Sequence, residues 1–254
     1  MDNNVIVKLE NVSAGYDTHE VIHEASFPIL RHDFMGIIGP NGGGKTTLVK
    51  TILGLLHPMK GQIRFFREGQ AIPSLHIGYL PQYTTFDRKF PISVRDVVLS
   101  GLHGKHFVWH RFGSADRQKA DDIIRLLDLD NCAHNAIGEI SGGQRQRALI
   151  GRALVCDPEI LILDEPNTYI DKKNQDKLYE LLKQVNTHCA ILLVSHDIGT
   201  VLRNVRNIVC VNHNVHYHPV SEVDEKLIED SFGCPFQLVA HGQIPHRILE
   251  NHTD

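Results

Sequence analysis

The stretch "GIIGPNGGGKTT" at 36–47 holds residues whose order could do chemistry. Gly39-Pro40-Asn41-Gly42-Gly43-Gly44-Lys45-Thr46 fits G-x-x-x-x-G-K-[ST]; beyond it and Thr47, the apolar residues Leu48, Ile52 and Leu55 recur at helical spacing. Glycines let successive backbone N–H groups turn toward one point, and a following helix presents its positive end there. Lys45 can then reach the β- and γ-phosphates, and the Thr46 hydroxyl can ligate Mg²⁺. The stretch reads as a cradle for a nucleoside triphosphate, a starting point shared by many reactions.

Two further groups bear on that cradle. "ILILDEP" at 160–166 reads as a buried strand ending in two carboxylates. Asp164 stands at the strand's C-terminal end, where an open α/β sheet places its ligands, and can hold Mg²⁺ through water opposite Thr46. Glu165 is then placed to orient and polarise an attacking water. Two acids abutting four aliphatics would cost desolvation unless a cation compensated. "ISGGQRQRALIGRAL" at 140–154 adds a second glycine-bearing turn, Ser141-Gly142-Gly143-Gln144, ahead of a second helix. The chain therefore carries two anion-binding helix starts, and one nucleotide does not need both from one chain.

The surrounding elements must position these groups. "VIVKLENVSAGY" and "VIHEASFPIL" read as strands broken at "DTHE", and further strands follow in "GLLHPMKGQIRFF" and "HIGYLPQ". From Tyr83 the pattern turns helical: "YTTFDRKFPISVRDVVLSG" and "SADRQKADDIIRLLDLD" read as helices, the latter with Ala120, Ile123, Ile124 and Leu127 on one face. A helical insertion is expected over about 83–138. Beyond it a βα rhythm resumes: helix near 143–156, strand "EILILDE", helix 172–187, strand "AILLVSHD", a short helix and strand "NIVCVN". Apolar strands alternating with amphipathic helices indicate a parallel sheet covered on both faces.

At 254 residues, with 42% hydrophobic and 22% charged content, the chain can bury a sizeable core. A net charge of −4 supplies no basic field for non-specific nucleic-acid or membrane binding. Five widely spaced cysteines without a C-x-x-C pair read as small apolar residues in a reducing, cytoplasmic setting. No apolar run is long enough to span a bilayer, so a membrane role is expected only through a partner.

With the phosphate loop, Gln82, "SGGQ", "LDEP" and His196 in this order, the sequence resembles the ATP-binding cassette (ABC) family. The resemblance implies an α/β, ABC-type P-loop ATPase with a RecA-like core, an N-terminal antiparallel β subdomain and a helical insertion. The whole of 1–254 would be one such domain: core at 1–82 and 139–215, helical subdomain at 83–138, C-terminal extension at 216–254. It further implies a head-to-tail homodimer holding two ATP molecules with Mg²⁺, each between one copy's phosphate loop, Gly39 to Thr47, and the other's signature turn, Ser141 to Gln144. Tyr16 resembles the aromatic that stacks on adenine, and Gln82 the glutamine that senses Mg²⁺ and links to a partner. His196 resembles the switch histidine of the γ-phosphate, and Asp171 the aspartate that crosses the dimer interface. "NTYID" after Pro166 departs from the family's more usual threonine, and Ile140 replaces a commoner leucine.

In the family the helical part receives a cytoplasmic helix of an integral membrane permease, which would hold this chain at the cytoplasmic face of the membrane. Phe107, Val108, Trp109 and Phe112 offer an apolar patch there, or else pack beneath the insertion's own helices. The stretches 90–98, 211–218 and 233–249 resemble the subfamily that imports metal ions, zinc first and manganese or iron next, supplied by an extracytoplasmic metal-binding protein. A rival from another class is a cassette working with cytoplasmic partners, as in iron–sulfur cluster assembly. His216 and His218 share a strand face near His213, a spacing compatible with metal ligation; with no carboxylate or cysteine beside them in the sequence, the favoured reading is that they are solvated.

Overall fold

Hairpins with left-handed turns build the N-terminal part. The computed structural model describes residues 3–82, 90–105, 112–167, 172–222, 237–240 and 245–248. The chain divides into two compact units, Met1–Ser74 with Leu192–Asp254, and Leu75–Ile191.

In the first unit run β1 (Val5–Tyr16), β2 (His19–Leu30), β3 (Phe34–Ile38), α1 (Lys45–Ile52), β4 (Lys60–Arg67) and β5 (Gln70–Ile72). β1 and β2 pair antiparallel with Tyr16 opposite His19 and Leu9 opposite Phe27. Asp17 closes that turn at φ 52°, a conformation that its short polar side chain tolerates. Glu68 and Gly69, at φ 53° and 77°, join β4 to β5 with both central residues left-handed, as tight hairpins favour. The sequence foresaw β1, β2 and β4 but not β5, three residues long and with no buried position to give it a period.

The second unit holds β6 (Ile77–Leu80), α2 (Val94–Leu99), α3 (Ser114–Leu126), α4 (Gly142–Leu154), β7 (Ile160–Asp164), α5 (Lys172–Asn186) and the start of β8 (Ala190–Val194). The helix expected from Tyr83 onward is shorter where it is described. Phe90 to Ser93 are not helical, Pro91 stands among them, and the Ser93 hydroxyl caps α2 by accepting from the Asp96 N–H at 3.1 Å. Residues 83–89 and the patch residues Phe107, Val108 and Trp109 lie outside the described residues. α3 buries Ala120 and Ile124 as its period requires.

β8 carries the chain back into the first unit, followed by α6 (Ile198–Asn204), β9 (Asn207–Asn212) and β10 (Asn214–Pro219); β11 (Gln237–Ala240) and β12 (Pro245–Ile248) pair as a separate hairpin. β3 pairs parallel with β9, and β6 with β7, as the continuous apolar runs predict. Every residue of β3, β7 and β8 is buried, and each fully buried Leu or Ile contributes about 1.5–3 kcal/mol. Leu55 departs from the expected helical face: α1 ends at Ile52, Gly54 turns at φ 71°, and Leu55 is 72% exposed.

Close backbone approach fixes the helical layer of the second unit. A Cβ on Gly101 would stand 1.9 Å from the Arg152 carbonyl of α4, whereas one on Gly143 would meet nothing within 4 Å. Gly101→Val should therefore cost on the order of 1–3 kcal/mol, lowering the thermal unfolding midpoint, while Gly143→Ala leaves that midpoint unchanged or slightly raised.

Candidate active site

In the first unit, β3 runs out at Ile38 into the phosphate loop. Gly39 is buried at φ 153°, Gly42 turns at 80°, and Gly44 caps α1 at 106°. The Gly43 N–H donates to the Pro40 carbonyl at 3.1 Å, closing a turn over Pro40-Asn41-Gly42-Gly43. α1 begins at Lys45, so its unpaired first N–H groups and positive dipole end lie at the loop. The Lys45 ammonium donates to the Gly39 and Pro40 carbonyls, each at 2.9 Å. Thr46 is exposed and Thr47 buried, so only the first of the pair offers its hydroxyl outward.

Two other residues singled out in the sequence, His196 and Tyr16, lie in this unit. The Ser195 N–H donates to the Ile37 carbonyl at 3.2 Å, setting the end of β8 beside the strand that feeds the loop. His196 follows directly and is exposed. It is anchored from both sides, because the Asp197 N–H donates to Ser195 Oγ and the Asp197 carboxylate caps α6 through the Thr200 N–H and hydroxyl. Tyr16, at the end of β1, is 44% exposed, with Lys50 of α1 donating to its hydroxyl at 3.3 Å and standing 5.5 Å from the ring centroid. That brace was not foreseen; Tyr16 and Lys50 are 34 residues apart and no periodicity links them.

The second unit gathers Gln82 with the two acids. β6 and β7 pair with Leu80 opposite Leu163, so Gln82, two residues past β6, leaves the sheet at the level of Asp164 and Glu165. Both acids are buried, at 5% and 8% exposure. Glu165 takes φ 53°, a left-handed conformation that costs a non-glycine residue on the order of 1–2 kcal/mol. Asp164 meets the Tyr79 hydroxyl of β6; burial first, then the adjacent Asp164 charge, push the Tyr79 phenol up to about 12. Tyr79 therefore stays a hydroxyl donor to a carboxylate, a partner that only the pairing of β6 with β7 brings into reach.

Thr46 in the first unit, and separately Gln82 and Asp164 in the second, each offer an oxygen, the donor type that Mg²⁺ takes. Asn167, where the family more often has threonine, donates from its amide to the Tyr179 hydroxyl of α5 at 2.9 Å. Asp171 lies outside the described residues.

At the start of α4, the Ser141 hydroxyl accepts from the Gln144 N–H at 3.2 Å and the Gln144 side chain accepts from the Ser141 N–H at 2.9 Å. This capping box leaves other first-turn N–H groups without an intrahelical partner, at an exposed turn. A helix of this length rises roughly 20 Å, so the turn stands that far along α4 from Ala153, whose carbonyl packs on Gly78 of β6.

Among the described residues no three histidine, cysteine or acidic side chains come close enough to hold a metal ion. His216 and His218 do share a face of β10, their ring centroids 6.4 Å apart. Burial holds the Cys189 thiol up at about 12 and raises that of Cys132, as inert apolar residues require.

A phosphate loop between strand and helix, together with an acid pair ending a second parallel strand, defines a P-loop nucleotide-hydrolysing α/β protein. Residues 22–168 match the ABC transporter family, and the chain belongs to it. It is 40% identical over 89% of its length to a metal transport system ATP-binding protein of Chlamydia pneumoniae, spanning 92% of that protein. It is 38% identical to the zinc uptake system ATP-binding protein ZurA of Listeria innocua, over 84% of each chain. Among solved structures, an ABC transporter in an inward-facing conformation superposes with TM-score 0.85 at 26% identity, over 96% of this chain and 97% of that one. The ATP-binding cassette MJ0796, in a dimeric post-hydrolysis state with ADP and Pi, gives TM-score 0.67 at 26% identity, over 85% and 99%. The fold is that of an ABC ATPase, and the enzyme hydrolyses ATP.

Glu165→Gln keeps the shape of the side chain and removes the carboxylate expected from the sequence to act as the base. Hydrolysis should fall by at least about a hundredfold while ATP still binds, measured as phosphate release beside ATP titration.

Proposed function

We propose that this chain is the ATPase subunit of a metal-ion importer, zinc first and manganese or iron next, working as a head-to-tail pair on a membrane permease. The observation that carries the paired arrangement is the second helix start at Ser141–Gln144, with Ser141 exposed, in a chain that already has a phosphate loop. Gly143 supports it: among the described residues beyond its own helix, nothing lies within 4 Å of where its Cβ would be, so an approach from outside accounts for the glycine better than internal packing does.

On this reading the chain is one ATPase domain, with core at 1–82 and 139–215, helical part at 83–138 and extension from 216. Gly39 to Thr47 take the phosphates. Lys45 exchanges its two loop carbonyls for β- and γ-phosphate oxygens, a stronger charge-assisted pairing. Tyr16, braced by Lys50, stacks on the base. Thr46, Asp164 and Gln82 hold Mg²⁺, directly or through water, and the ion neutralises charge on the phosphates when bound. Glu165 takes the proton of the attacking water, and His196 donates to the γ-phosphate oxygens. Ser141 and the first N–H groups of α4 close over the other copy's γ-phosphate, and Asp171 meets the partner across the interface.

The metal cargo is supported by the relatives' names, the zinc uptake system protein ZurA and, at 34% identity over 83% of this chain and 76% of its own, the zinc import ATP-binding protein ZnuC of Marinobacter nauticus. No helix among the described residues is long and apolar enough to cross a membrane; on this reading the ion's path is the permease's.

A mixture of Lys45→Ala and Ser141→Arg chains tests the pairing. Their heterodimer has one intact composite site and one doubly damaged site, so ATP-dependent dimerisation on size exclusion should be partly restored where neither variant alone dimerises; no restoration overturns the head-to-tail arrangement. For the cargo, deleting the gene in cells without a redundant importer should impair growth under zinc chelation, restored by the full chain. Normal growth under zinc, manganese and iron limitation would remove the metal assignment and leave the ATPase intact.

A further inference from the structure

The turn between β9 and β10 touches the phosphate loop directly. His213 takes a left-handed backbone with φ 58°, and its N–H donates to the Gly43 carbonyl at 2.9 Å. Its own carbonyl accepts from the His23 N–H of β2 at 2.8 Å. The ring is exposed, yet its Nδ1 sits 3.1 Å from the Val21 carbonyl. A carbonyl can only accept, so Nδ1 carries the proton and the imidazole is the donor. That same carbonyl lies 3.4 Å from where a Cβ on Gly44 would stand. His213 thus holds the carbonyl of the 43–44 peptide and also the wall against which Gly44 rests.

In a planar trans peptide the C=O and the following N–H point in opposite directions. A Gly43 carbonyl drawn to the β9–β10 turn therefore aims the Gly44 N–H away from it. We propose that His213 is a positioning residue for the phosphate loop, setting the direction of the Gly44 N–H that meets the triphosphate. The backbone bond aims the peptide, and the ring keeps β2 and the turn at the spacing that this bond requires. The inference rests on reading Gly39 to Thr47 as the phosphate site.

Three variants of the full chain, titrated calorimetrically with MgATP and with inorganic tripolyphosphate, test it. His213→Gly keeps the left-handed backbone and removes the ring; His213→Asn also tolerates that backbone and can present an amide N–H near the place of Nδ1. His213→Gly should weaken both ligands by the same factor, about three- to tenfold, the scale of one lost hydrogen bond. His213→Asn should bind both within about twofold of wild type, although both substitutions remove the same ring packing. Wild-type affinity in His213→Gly, or equal weakness in the Gly and Asn variants, overturns the proposal. Lys45→Ala in the same titrations separates the two claims: wild-type affinity there means that the phosphate-loop reading itself has failed, whatever His213 does.

Discussion

Backbone lies on backbone beneath the phosphate loop, and the first unit is built around that closeness. A Cβ on Gly39 would stand 2.0 Å from the Val211 carbonyl of β9, and one on Gly43 would stand 2.7 Å from the same oxygen. No side chain fits either gap, so the loop is glycine at both positions before any ligand is considered. The pairing of β3 with β9, from Met35 opposite Asn207 to Ile38 opposite Cys210, brings Val211 to that place. α6 holds the other side of β3, where a Cβ on Gly36 would collide with Val201 at 2.3 Å. The loop is thus seated on a rigid strand end, and the donors of a flexible glycine run become a fixed array.

Burial separates the roles in the second unit. Asp164 and Glu165 are taken out of water at the end of an apolar strand, one held by the Tyr79 hydroxyl and the other in a left-handed backbone. Burying two carboxylates costs desolvation, and the Tyr79 hydroxyl offsets part of it for Asp164. Gln82 and Ser141 are exposed, the Ser141 N–H donating to the Gln144 side chain; in the first unit His196 is exposed as well.

Much of this was legible in the residues. The phosphate loop was, because glycine, lysine and threonine at fixed offsets have a local physical reason. The acid pair was, because two carboxylates closing an aliphatic strand conflict with burial. Ser141 was, because a serine and two glycines ahead of a helical run mark a helix start, although the capping box that closes it appears only in the structure. Strand and helix types followed from period, except where a segment was too short to show one, as in β5, where Pro91 interrupts an expected helix over Phe90 to Ser93, or where a helix end lies one turn earlier than expected, as at Leu55.

What the sequence determined by itself is the inventory of local chemistry: a phosphate loop, an acid pair, a second helix start and the strands and helices between them, each set by residues within a few positions of one another. Tertiary structure decided which distant residues touch. Lys50 reaches Tyr16, Tyr79 reaches Asp164, and His213 reaches Gly43 across 170 residues only because strand pairing and helix packing bring them together. Hydrogen bonds between such residues depend on angles and distances of a fraction of an ångström, and the linear order of residues carries no term for them.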